Sequence, residues 1–106
     1  MSAALLRAAL EDCARTRRLV SYGALAARIG LDGAGRIARL TAMLVALMEE
    51  DTAAGLPLRA ALVVSRATGG LPARGFFLKA DELGHDVRDP TTFHAEQLAA
   101  VFAQSG

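Results

Sequence analysis

The sequence is short of the residues on which chemistry usually rests. There is one cysteine, Cys13, among 106 residues. A single thiol forms no internal disulfide, which points to a reducing compartment and a cytoplasmic setting. The two histidines, His85 and His94, fall on different segments with no cysteine or clustered carboxylate at ligand spacing beside them. This pattern argues against a metal site and calls for no cofactor. His94 reads as a surface or helix-packing residue and His85 as a solvated loop residue. No nucleophile elbow is present, and the glycines at 69, 70 and 75 lack the Lys-Ser/Thr pair of a phosphate-binding loop. No apolar run approaches the length of a membrane span. The first apolar stretch is broken by Arg7, Glu11 and Asp12 with no basic segment before it, so it reads as a first helix and not as a secretory signal. Net charge is +1, too small for a global electrostatic argument. These absences lead to the expectation of a non-enzymatic domain.

What is present suffices for one domain spanning residues 1–106. The chain is 53% hydrophobic and 22% charged, enough for a core and too apolar for disorder. Its charges are unevenly distributed. Residues 1–30 hold five arginines against two acids, and residues 31–56 hold two arginines against four. Residues 57–79 carry Arg59, Arg66, Arg74 and Lys79 with no acid, whereas residues 80–106 carry five acids against Arg88. Such asymmetry suits a one-sided anionic partner, although two solvated faces that differ by chance would read the same way.

Periodicity sets the expected elements. Leu6, Leu10 and Cys13 make an apolar stripe for a helix over 3–19, with Arg15, Arg17 and Arg18 against the negative end of its dipole. Ser21 reads as the cap of a short helix, 22–29, with Leu25, Ala26 and Ile29 inside and Gly30 as its stop. After a tight link in which Asp32 is placed to cap, a long helix is expected over about 34–54, with Ile37, Leu40, Leu44, Leu47 and Met48 as its stripe. Glu49, Glu50 and Asp51 oppose the dipole of that helix, so a break near Met48 is left open. Leu62-Val63-Val64 reads as the centre of a strand over 59–65, the breakers from Arg66 to Pro72 as a loop, and Arg74 to Phe77 as a second strand running towards a short helix that ends at Gly84. Asp89-Pro90 starts a last helix with Phe93, Leu98, Val101 and Phe102 on its inner side. The expected class is therefore α+β: a mostly helical, winged helix-turn-helix-like domain with one β-hairpin and a C-terminal helix.

At Ser21-Tyr22-Gly23-Ala24-Leu25-Ala26 the sequence resembles the Thr-Tyr-Gly-x-Leu-Ala motif of the DNA-binding domain of methylguanine-DNA methyltransferases and their alkyltransferase-like relatives. Arg36 and Arg39, Ala42-Met43, the paired valines 63 and 64 and the glycines from 69 to 75 keep the order of that domain, so the likeness covers roughly residues 5 to 84. The resemblance implies that Tyr22 helps to rotate a phosphate of the target nucleotide. It implies too that Arg36, or failing it Arg39, enters the duplex to fill the gap left by an everted base. The Pro-Cys-His-Arg sequence of the enzymes is missing. Alignment on Pro57 puts Leu58 at the acceptor position, alignment on Val63-Val64 puts Ala60 there, and neither supplies a thiol.

The functional expectation is nucleic-acid binding, DNA before RNA, through Tyr22, Arg36, Arg39, Arg66 and Arg74, the last two reaching the phosphate backbone from the hairpin. The alternative is a protein-protein interaction module, of adaptor or immunity type, on the same scaffold. The near-neutral charge and the acidic end of the long helix favour that alternative.

Overall fold

The structure, a computed structural model, describes residues 2–105. The first helix, α1 (Ser2–Arg15), buries Leu6, Ala9, Leu10, Cys13 and Ala14, the i, i+3, i+4, i+7, i+8 stripe of an amphipathic helix. It stops four residues earlier than periodicity suggests. Arg17 takes a left-handed φ of 54°, and the Arg18 N–H donates to the Cys13 carbonyl, which reverses the chain. Of the three arginines expected against the dipole, only Arg15 lies in the last turn. The Arg17 guanidinium instead lies over the Phe102 ring, 5.6 Å from its centre.

The strand β1 (Val20–Ser21) leads directly into α2 (Tyr22–Arg28). Ser21 is the cap the sequence announces, its Oγ accepting the Ala24 N–H at 3.1 Å. Gly30, at φ 82°, ends α2 while the Leu31 N–H returns to the Ala26 carbonyl. The following helix, α3 (Arg36–Ala53), is capped by the backbone of Gly35 at φ 77° and not by Asp32, which lies too early in a longer turn. The core face of α3 is Leu40, Leu44, Leu47, Met48 and Asp51; Ile37, expected in that stripe, is 40% exposed because it precedes the first contact with the core.

No break occurs near Met48. Each acid at the end of α3 has a cation from another element. Glu50 meets Arg7 at 2.5 Å and Glu49 meets Lys79 at 2.9 Å. Asp51 is buried, with 1% of its side chain exposed, and holds Arg59, whose side chain is 24% exposed. Asp51 Oδ1 accepts Arg59 Nη2–H at 2.6 Å, and Oδ2 accepts the Arg59 backbone N–H at 3.1 Å. This carboxylate raises the Arg59 pKa above its usual value.

The largest departure from expectation lies in residues 59–77. Among the described residues there is no β-hairpin. A 3-10 turn, Arg59–Leu62, occupies most of the expected first strand, and only β2 (Val63–Val64) is extended. That strand pairs with β1, in parallel, Val20 opposite Val63 and Ser21 opposite Val64. A second short turn, Arg66–Thr68, follows, and the expected second strand is instead the start of α4 (Arg74–Glu82). Phe76 and Ala80 are buried while Leu78 between them is exposed, a pattern that fits one face of a helix and not the alternation of a strand. Last comes α5 (Pro90–Ser105), its Asp89 cap accepting the Thr92 N–H and hydroxyl. The protein is thus mostly helical with a two-stranded parallel sheet.

One core joins these elements. Phe93 of α5 packs on Phe76 and Phe77 of α4, with ring centres 6.1 and 6.5 Å apart. His94 is buried, the packing alternative of its two readings and not the surface one, and its Nε2 bonds to the Ala61 carbonyl at 2.8 Å. His85 is also tied down, its Nε2 2.9 Å from Thr52 Oγ1. No described helix is long and apolar enough to cross a membrane, and no group of three potential metal ligands occurs among the described residues.

Two outcomes follow for stability. Asp51→Ala leaves the Arg59 guanidinium half-sheltered without its counter-charge, and should cost about 3–5 kcal/mol in urea unfolding. The carboxyls of Asp12, Asp86 and Asp89 are held below 3.8, by Arg28, by Arg88 and by the Thr92 N–H respectively, Asp86 at about 2. Depressed carboxyl pKa values stabilise the fold above 3.8, and that contribution is lost as pH falls towards 2. The melting temperature should therefore drop across this window, less steeply in Asp86→Asn.

Candidate functional site

The parallel register decides what meets what. Because Ser21 lies opposite Val64, both strands end together, and Tyr22 follows one while Ser65 and Arg66 follow the other. The start of α4 closes on the same end, since the Tyr22 hydroxyl accepts the Ala73 N–H at 3.1 Å. Ala73 is the cap residue of α4 and brings no side-chain acceptor of its own, so the phenol supplies one. Tyr22, Arg66 and Arg74 therefore share the carboxyl end of the sheet. Burial pushes the Tyr22 pKa up, against a smaller opposing effect of the Ala73 N–H.

The Tyr22 ring forms one wall of a cleft with Thr41, Val45, Met48, Ala60 and Phe76. The cleft thus reaches Ala60, one of the two residues aligned with the acceptor position of the methyltransferases. Its interior is about 20 Å³, room for a water molecule and not for a nucleobase. The other aligned residue, Leu58, is fully buried. Neither position offers a nucleophile. Cys13 is buried on α1, with the Arg28 guanidinium 3.9 Å from its sulfur.

Arg36 and Arg39 form a second group at the start of α3. Both are exposed. At about 100° per residue, Arg39 falls on the outer face of α3 with Ala42 and Ala46, away from Leu40, Leu44 and Leu47. Arg36 lies one turn earlier. Thr41, by contrast, is on the flank that faces Tyr22. The backbone therefore brings three of the five sequence-assigned residues to one end of the sheet, while the two helical arginines stand apart at the start of α3, beside the turn between α2 and α3.

Ion pairing separates the cations sharply. Arg7, Arg15, Arg28, Arg59, Lys79 and Arg88 each hold a carboxylate. Among the described residues, no carboxylate is within salt-bridge reach of Arg36, Arg39, Arg66 or Arg74. The same is true of Arg17 and Arg18, which leave from the amino end of β1. Sequence reasoning singled out four of these arginines by type and passed over two features beside Tyr22. These are the start of α4, hidden because residues 74–77 read as a strand, and Thr41, whose orientation depends on how α3 packs.

Tyr22→Phe removes the one acceptor that the Ala73 N–H has among the described residues and should destabilise the protein by about 1–2 kcal/mol in chemical denaturation, with the ring still in place. No protein family, curated protein or solved structure matches this chain.

Proposed function

We propose that this protein is a non-enzymatic, cytoplasmic nucleic-acid-binding module that grips duplex DNA with α2, the turn after it and α3. Residues 66–74 then take the place of the wing of a winged helix-turn-helix. The supporting observation is the set of four exposed arginines, Arg36, Arg39, Arg66 and Arg74, free of carboxylate partners among the described residues. An arginine already bound to a carboxylate must give up that bond to meet a phosphate, and these four have none to give up. Asp32 is the one acid between residues 13 and 48, and there is none between 52 and 80. A polyanion meets little repulsion along either segment.

The outer face of α3 is built of small residues around Arg39, which permits close approach to a groove. The reading keeps the resemblance to the alkyltransferase-like DNA-binding domain and leaves out alkyl transfer, for which the cleft has no thiol. It also leaves out a pocket for an everted base, for which the cleft has no room. A competing reading, a protein-docking module, draws on the exposure of Ile37 and of Leu78, 40% and 57%.

Fluorescence anisotropy with a labelled duplex separates the two. Phosphate contacts by Arg36, Arg66 and Arg74 release counterions with a slope of about −2.7 in log K against log salt, about a fortyfold loss between 50 and 200 mM. Arg66→Ala and Arg74→Ala should each reduce that slope by about 1, while Arg88→Ala, whose guanidinium is engaged by Asp86, should leave it unchanged. Binding that is absent or insensitive to salt overturns the proposal.

A further inference from the structure

The turn between α2 and α3 is unusual in how little holds it. Residues 32–39 are all exposed. Gly30, Gly33 and Gly35 all have positive φ, so much of this stretch is the most freely rotating backbone a chain has. The Leu31 N–H closes α2, and the Arg39 N–H bonds to the Gly35 carbonyl as α3 begins. Between those two bonds, the described residues show one hydrogen bond to the turn: the Arg39 guanidinium donates to the Asp32 carbonyl. Arg36, three residues earlier on the same helix, has no protein partner among the described residues.

We infer that Arg39 is a positioning residue whose guanidinium straps the glycine-rich turn to α3, and that Arg36 alone makes the anionic contact at this end of the site. The inference rests on the DNA-binding reading and divides its labour. A loose turn populates the binding-competent arrangement only part of the time, and apparent affinity falls by that fraction. The strap raises the fraction without touching phosphate. Asp32 contributes through its backbone carbonyl, so its side chain is not required.

The test uses the full chain, with Arg39→Met and Arg36→Met, which remove charge and donors but keep a long side chain. Backbone order parameters from ¹⁵N relaxation report on the amides of Asp32, Gly33 and Gly35. The wild type and Arg36→Met should be rigid there, near 0.85, and Arg39→Met should fall below about 0.6. In anisotropy, Arg36→Met should lower the salt slope by about 0.9, whereas Arg39→Met should weaken binding several-fold at unchanged slope. Arg39→Lys, which keeps a donor on a long stem, should recover most of the rigidity.

A rigid turn in Arg39→Met overturns the strap, as does a slope loss for Arg39→Met equal to that of Arg36→Met. If the wild type binds no duplex, the DNA-binding reading fails, and the order parameters still decide whether Arg39 holds the turn.

Discussion

The buried pair between Asp51 and Arg59 is the constraint on which the remaining arrangement depends. It sits where a long helix ends and the chain must turn back through Pro57 towards the sheet. A carboxylate there is doubly costly, being buried and at the negative end of a helix. Arg59 meets both costs, with its side chain on one edge of the carboxylate and its own N–H on the other oxygen. That grip fixes the start of the 59–62 turn. Leu58 N–H to Gln97 Oε1 and the Ala61 carbonyl to His94 then hold the same turn against α5. Only with this segment fixed does Val63 arrive opposite Val20, and only that register places Tyr22 beside Arg66.

Charge sorting follows from the same economy of acids. Seven of the eleven carboxylates take part in ion pairs or cap bonds, and these hold the paired cations of α1, α2 and α4 and the arginines at 59 and 88. The arginines at 36, 39, 66 and 74 lie outside their reach. A net charge of +1 therefore conceals an uneven distribution, with some cations bound to carboxylates and others, these four among them, without such a partner among the described residues. Composition averages over the whole molecule, but a partner meets one side of it.

Much of this fold could be read from local signals. Ser21 and Asp89-Pro90 cap the helices they announce, and the stripes of α1, α2 and α3 point inward except at Ile37. These features depend on neighbours within one turn of helix, where sequence spacing equals spatial spacing. The largest failures involve distant partners. A two-residue strand has no period to detect, so nothing in Val20-Ser21 announced a partner 43 residues away. Asp51 read as a misplaced charge because its counter-ion comes after a turn. Phe76-Phe77 satisfies both strand and helix composition, and the exposure of Leu78 between the buried Phe76 and Ala80 decides between them. The five candidate residues were identified by type, whereas their division into two groups depends on the register of the sheet.

That division bears on how a polyanion would be met. Tyr22 is anchored from both sides, by the Ser21 cap at the head of α2 and by the Ala73 N–H at the head of α4, so Arg74 inherits its rigidity from the phenol. Arg66 stands on a turn stabilised by its own serine and threonine, Ser65 Oγ accepting the Ala67 N–H and Thr68 Oγ1 donating to the Leu71 carbonyl. These arginines therefore start from backbone that is already ordered, and less entropy is lost when they are immobilised on a partner. At the head of α3 the backbone is glycine-rich and unpacked, and order has to be supplied by a side chain. The two ends of the site achieve rigidity by different means, one through sheet register and a phenol, the other through a guanidinium spanning a turn, and the second is the weaker because one hydrogen bond carries it.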